Sequence, residues 1–281
     1  MIYPTPAPEE PAVFDNWMKR HYIAVQKHRI IYCPIEKNAC TYFKRLLLEQ
    51  SEVAQEYRES GLESHTFINQ RQKLLLSDLR QLRDETYLRF VIVREPIERV
   101  VSAYLNKFVL NQNFRWAIDA AEKYAAIDPS FQEIDQSLSF RQFVQMLAAY
   151  PDDQLDLHWR PQSAFFDPVV GCFDYIVPME SISQFVNVLE TRCNTTFSRQ
   201  KTRNQNQYQF YANHGVGAND SLSDQPMCDW KPADLRTLNP YPDPQTLVVS
   251  EIREQLLKRY ARDIELYQIA RDRFPESGSQ S

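Results

Sequence analysis

Two runs of β-branched and aromatic residues, Arg29 to Cys33 (RIIYC) and Leu88 to Val93 (LRFVIV), each lead through a turn into residues whose apolar positions recur at helical spacing. Strands this apolar must be covered on both faces, and a strand that runs into a helix twice over predicts parallel strands joined by helical crossovers. After the first run, Tyr42, Phe43, Leu46 and Leu47 share one helical face. After the second, Pro96 stands near the first helical turn, and Ile97, Val100, Val101, Tyr104 and Phe108 form the stripe. A third buried strand is expected at Phe173 to Val177 (FDYIV), with Ser181 capping a helix that carries Ile182, Phe185, Val186 and Leu189. Further helices are expected from Lys73 to Leu82 and, capped by Ser250, along Ile252, Leu256, Tyr260, Ile264 and Tyr267. The expected fold class is therefore α/β, a parallel sheet with helices on both faces. The expected division is an N-terminal arm with a short helix (1–28), one domain (29–270) and a frayed tail (271–281). The Asn-, Gln-, Asp- and Pro-rich stretch from Gln200 to Asp243 is expected to be a long surface excursion over a site.

Composition removes several function classes. The chain has only 5 glycines, Gly61, Gly171, Gly215, Gly217 and Gly278, so neither GxxxxGK nor GxGxxG can be written anywhere in it. With 32 Lys+Arg against 37 Asp+Glu, it lacks the cationic surplus of a general nucleic-acid binder, although a local pocket for a small anion is compatible with that balance. No apolar stretch reaches the length of a membrane span, and the first residues do not read as a signal peptide. The 5 cysteines are odd in number and include no CxxC pair, which argues against a disulfide framework or a cysteine zinc site and for a reducing, cytoplasmic setting.

Chemistry concentrates where the two strongest strands end. In Pro34-Ile35-Glu36-Lys37-Asn38-Ala39-Cys40-Thr41-Tyr42, a lysine and a threonine stand at a helix start, where free N–H groups and the positive end of the dipole favour an anion. Read locally, the same residues also suit a helix cap and a solvated lysine. Arg94 follows the second strand, and the next helix bears Arg99 and Ser102, the latter out of register with the apolar stripe. Ligands of open α/β sheets bind outside the carboxyl ends of the strands, where both Lys37 and Arg94 fall. Arg192, Arg199, Lys201 and Arg203 form a basic run suited either to an anion or to a solvated face.

The string IIYCPIEKNACTYFKRLL resembles the 5′-phosphosulfate loop of the carbohydrate sulfotransferases that modify chondroitin, dermatan and related glycans, and FVIVREPIERVVSAYLNKF resembles their 3′-phosphate motif. HWRPQ (His158 to Gln162), FDYIVPMESI and a terminal YARDIELY are further echoes, so the likeness runs from about Arg29 to Tyr267. It departs in three places: Glu36 stands for a proline, Phe43 for a tryptophan, and Phe165-Phe166 where a cysteine is usual. The last departure agrees with a reduced, cytoplasmic relative.

The resemblance implies a P-loop NTPase-like α/β fold that binds 3′-phosphoadenosine 5′-phosphosulfate (PAPS), transfers its sulfuryl group to a hydroxyl of a carbohydrate or other small acceptor, and releases 3′-phosphoadenosine 5′-phosphate (PAP). Carried over by position, Lys37, Asn38, Ala39, Cys40, Thr41 and Tyr42 hold the 5′-phosphosulfate, and Arg94 and Ser102 hold the 3′-phosphate. No metal, nucleic acid or membrane span is required. Two histidines are candidates for the base that takes the acceptor proton: His65, in ESHTFIN between the two cofactor motifs, and His158, at the head of HWRPQ. His65 is the preferred one, by its likeness to histidine bases of related glycan sulfotransferases. Two alternatives stay open: a non-catalytic glycan- or nucleotide-binding protein, which a repelling Glu36 carboxylate favours, and a nucleotide-dependent kinase, which lacks its glycine-rich loop here.

Overall fold

The computed structural model describes residues 21–70, 74–76, 78–110, 114–132, 137–197, 225–238 and 243–274. In chain order the main elements are β1 (Ile23–Val25), β2 (Ile30–Cys33), α1 (Cys40–Gln50), α2 (Ala54–Ser60), α3 (Ser64–Gln70), β3 (Leu88–Val93), α4 (Pro96–Tyr104), α5 (Phe114–Ile127), α6 (Phe140–Ala149), β4 (Tyr175–Pro178), α7 (Ile182–Cys193), α8 (Ser250–Arg259) and α9 (Ala261–Arg273). They fall into two compact units. The first draws on Met1–Glu95, Pro161–Arg199 and Glu265–Ser281, the second on Pro96–Arg160 and Gln200–Ile264.

The first unit is built on a four-stranded sheet of order β1-β2-β3-β4. β2, β3 and β4 are parallel, with Cys33 beside Val91 and Val91 beside Ile176, so the turns after β2 and β3 leave the sheet on the same side. β1 is antiparallel to β2, a departure from the all-parallel expectation. Its cause is the connection: three residues, Gln26–His28, and Arg29 in the left-handed region at φ 52° return the chain at once, too short for a crossover. One face of the sheet, Ile30, Tyr32, Phe90, Ile92 and Val177, shares a core with Phe43, Leu46 and Leu47 of α1 and Phe185 and Leu189 of α7. The alternate residues Ile31, Cys33, Val91, Val93 and Ile176 are buried as well, which is why these strands read as continuous apolar runs. There the carbonyl of Phe165 accepts hydrogen bonds from the Tyr22 hydroxyl (2.7 Å) and the Cys33 thiol (3.8 Å).

The second unit has a separate core of aromatic and aliphatic side chains, including Tyr104, Phe108, Phe140, Phe143 and Trp159. A capping box at Ser139, closed by Gln142, starts α6. A π-helical turn, Leu105–Leu110, continues α4 and buries Phe108.

Four local expectations are corrected. Leu75 bridges to Ile23 and Leu79–Arg83 is a 3-10 turn, so 73–82 is no single helix. The terminal helix is two, broken at Tyr260. Neither Ser181 nor Ser250 caps a helix by its side chain; the Ser181 hydroxyl instead donates to the Phe274 carbonyl at 3.0 Å. Arg192 is structural, its guanidinium donating to the backbone carbonyls of His28 (2.9 Å), Arg29 (3.3 Å) and Thr86. Arg199, Lys201 and Arg203, most of the proposed excursion, the N-terminal arm up to residue 20 and the tail from 275 lie outside the described residues.

Candidate active site

The turn between β2 and α1 adopts without glycine a left-handed backbone that glycine commonly supplies. Lys37 (φ 70°) and Ala39 (φ 56°) both occupy the left-handed region, a conformation that costs a non-glycine residue on the order of 1–3 kcal/mol and persists only where surrounding contacts over-determine it. Asn38, fully buried between them, supplies those contacts. Its Nδ2 donates to the Ile92 carbonyl at 2.9 Å and to Gln162 Oε1 at 2.6 Å, while its backbone N–H bonds the Ile35 carbonyl at 3.2 Å. Ala39 then opens α1 with no side-chain cap, and the amides of Tyr42 and Phe43 return to its carbonyl. The preceding amides, those of Cys40 and Thr41, thus stand at the positive end of the helix dipole beside Lys37. Burial pushes the Cys40 thiol up, which keeps it protonated and removes it from nucleophilic chemistry at neutral pH.

Thr41 is exposed on the second helical position and caps nothing. Its hydroxyl meets His65 Nε2, brought in by α3, at 2.9 Å. The other ring nitrogen, Nδ1, lies 3.1 Å from Lys44 Nζ, and Lys44 pairs with Glu36 Oε1 at 3.5 Å. Both His65 nitrogens therefore face side chains of α1. Lys44 is one helical turn beyond Thr41, so both address the same ring.

Arg94 directly follows β3. Its backbone is clasped by the Gln162 carboxamide: the Arg94 N–H donates to Gln162 Oε1 at 2.9 Å, and Gln162 Nε2 donates to the Arg94 carbonyl at 2.8 Å. The Arg94 guanidinium reaches the Lys37 carbonyl at 3.4 Å. Gln162, 1% exposed, thereby ties Asn38 of the turn after β2 to Arg94 at the end of β3.

In the second unit, Ser102 is buried on α4. Arg99, also on α4 and 1% exposed, is spent on backbone, donating to the carbonyls of Arg160 (2.7 Å) and Leu157 (3.0 Å), which fixes the segment that holds His158. His158 Nδ1 sits 2.6 Å from Asp156 Oδ1, and the other Asp156 oxygen takes a hydrogen bond from Trp116 Nε1 at 3.3 Å. Burial alone would raise the Asp156 carboxyl, but the hydrogen bonds from the His158 side chain and backbone outweigh it and hold the group below its ordinary range. The carboxylate is thus the form present near neutrality. It selects the Nδ1–H tautomer of His158, and among the described residues no hydrogen bond reaches Nε2. That is the orientation a proton acceptor needs.

The residues expected from sequence thus divide by unit: Lys37, Asn38, Ala39, Cys40, Thr41, Tyr42, His65 and Arg94 belong to the first, Ser102 and His158 to the second. Gln162, Lys44 and Asp156 were missed as functional residues. The first lies inside HWRPQ, and Asp156 precedes His158 by two, so both carried a signal; Lys44 carried none beyond its place in the loop-helix string. Among the described residues no cluster of His, Cys, Asp or Glu is arranged to hold a metal ion, and no helix is long and apolar enough to cross a membrane.

The profile of the sulfotransferase family matches residues 20–269. Carbohydrate sulfotransferase 14 of Homo sapiens is 28% identical over 180 residues, covering 61% of this chain and 46% of that protein. Carbohydrate sulfotransferase 8 of Mus musculus is 26% identical over 204 residues (68% and 48%), and carbohydrate sulfotransferase 11 of Rattus norvegicus 26% over 187 residues (60% and 51%). The chain spans about half the length of the curated relatives it matches. No solved structure matches it.

Proposed function

The chain belongs to the sulfotransferase family, and from that premise we propose that it is an enzyme that transfers the sulfuryl group of PAPS to a hydroxyl of a carbohydrate and releases PAP. The observation that carries this reading is the glycine-free turn after β2: two left-handed residues, an uncapped helix start and Lys37 form an anion cradle, tied through Asn38 and Gln162 to Arg94. This donor set fits an adenine nucleotide bearing phosphates at both ends, since a lysine, a hydroxyl and helix amides suit one and a guanidinium suits the other.

When bound, the donor supplies an activated sulfuryl group whose bond to the 5′-phosphate oxygen breaks as the acceptor oxygen attacks. Lys37 neutralises the charge that grows on the departing oxygen, an electrostatic role that strengthens toward the transition state. Thr41 and the first amides of α1 orient the same group. Arg94, with Ser102 assigned by its position in the motif, reads the 3′-phosphate. Of the two histidines, His158 has the chemistry of a base, because Asp156 holds its Nδ1–H and leaves Nε2 to accept the acceptor's proton.

Glu36 does not favour the non-catalytic alternative, for its carboxylate is paired with Lys44 instead of standing bare in the cradle. A carbohydrate acceptor is supported by the names of the relatives. The cytoplasmic setting is proposed on the thiols: all five cysteines are free, and burial raises those of Cys33 and Cys40, as suits a protein kept reduced. Fractionation of cells that express the full-length protein tests the location. Calorimetry with PAP and with ADP, followed by sulfate transfer to a panel of sugars, tests the activity: preference for PAP and transfer to a sugar are expected, and absence of PAP binding overturns the proposal.

A further inference from the structure

We infer that Glu36, Lys44 and His65 form a relay, Lys44 buried and the other two half-buried, whose task is to aim the Thr41 hydroxyl proton at the 5′-phosphosulfate, which makes His65 a positioning residue. The inference rests on the sulfotransferase reading and deepens it.

The direction of each bond follows from donor inventory. A lysine ammonium carries three donors and no acceptor, so at 3.1 Å from Lys44 Nζ the His65 Nδ1 must be the acceptor. A neutral imidazole then carries its proton on Nε2, which donates to Thr41 Oγ1 at 2.9 Å. With a lone pair of Thr41 so engaged, its own hydrogen is turned away from the ring. Thr41 is exposed beside Lys37 and the uncapped helix start, where an anion oxygen is the fitting acceptor. Each bond polarises the next, so the hydroxyl is a stronger donor than an isolated threonine.

The relay also accounts for Glu36. Lys44 is 8% exposed, and a buried ammonium without a counter-charge is costly. Glu36, 3.5 Å away and with a side chain 13% exposed, supplies that charge from the loop itself. The carboxylate that replaces the motif's proline thus holds the cation that sets the tautomer. His65 is held there by α3, whose Phe67 and Ile68 share the core with Leu46, Leu47 and Leu48 of α1.

A double-mutant cycle on the full chain, read by calorimetry with PAP, tests the relay, since PAP retains the 5′-phosphate and needs no turnover. Thr41→Val is expected to weaken PAP binding about tenfold, in the range of one hydrogen bond to a charged group. His65→Ala and the charge-neutral pair Glu36→Gln/Lys44→Met are each expected to weaken it several-fold, and neither to add to the loss once Thr41→Val is present. His65→Gln is expected to recover most of the loss seen in His65→Ala, because an amide both accepts from Lys44 and donates to Thr41. Losses that multiply in the double variants overturn the relay. So does a His65→Gln protein that binds PAP well yet turns over no faster than His65→Ala, for that is the signature of a base. Thermal unfolding identifies a variant that fails to fold, and the Glu36/Lys44 pair then reads the relay without touching His65. If the unmodified protein does not bind PAP, the sulfotransferase reading falls and takes the relay with it.

Discussion

Replacing Gln162 by leucine preserves most of the side-chain volume and removes three hydrogen bonds at once. Two of them, at 2.9 and 2.8 Å, hold the backbone N–H and carbonyl of Arg94, and the third, at 2.6 Å, holds Asn38 Nδ2. Asn38 is fully buried, and its side chain keeps only the bond to the Ile92 carbonyl after the change, at 2.9 Å. Its second donor is then orphaned, at about 1–3 kcal/mol, whereas the partly buried Arg94 groups regain water and lose about 0.5–1.5 kcal/mol each. Leucine in a buried site returns about 1 kcal/mol by area. The net expectation is a loss of about 1–5 kcal/mol, or roughly 2–20 °C in the melting temperature for a chain of this size. Thermal and urea unfolding measure it. The same variant is expected to bind PAP more weakly than its stability loss alone requires, since the spacing of Lys37 and Arg94 is no longer held, while a buried core change of comparable ΔΔG in the second unit, Leu256→Ala, leaves the affinity alone. A Gln162→Leu protein that melts and binds PAP like the unmodified one refutes the clasp.

The other predictions concern the proposed anion-binding residues and the Asp156–His158 pair. Arg94→Ala is expected to erase most of the preference for PAP over ADP, about 1.5–3 kcal/mol, in competition calorimetry; an unmodified protein without that preference contradicts the assignment. Lys37→Ala is expected to raise the barrier to sulfate transfer by roughly 2 kcal/mol or more while changing PAP affinity less, and unaltered turnover would demote it to a surface lysine. His158→Ala is expected to cost about 10²–10⁴-fold in turnover with PAP affinity retained; a variant that transfers sulfate normally excludes His158 as base. Asp156 is depressed in the folded protein, so its pairing contributes stability above its unfolded value of about 4, lost as pH falls through the lower folded value. Asp156→Asn should accordingly flatten the acid limb of the stability profile, and an unchanged limb would show that the pair contributes nothing there.

Local order in the chain followed from residue pattern alone. β2, β3 and the apolar faces of α1 and α4 are written in contiguous stretches, because a strand covered on both faces must be continuously apolar and a helix packed on it must repeat its apolar residues every turn. The position of Lys37 and Arg94 after parallel strands was equally legible, since the carboxyl ends of such strands share one side of the sheet. What pattern cannot encode is pairing at a distance. Gln162 meets Asn38 across 124 positions and Arg94 across 68, and nothing in the spacing of a glutamine distinguishes a buried clasp from a surface amide. His65 shows the limit most plainly. Its place between the two motifs suggests a base, while the groups that face its two nitrogens are chosen by the packing of α3 on α1. His158 gained its orientation in the same way, from an aspartate two residues away that only the folded turn brings to Nδ1. Residue type and periodicity set the elements and the kinds of chemistry on offer; contacts made only in the folded chain decided which groups face each histidine nitrogen and which side chain holds the others in place.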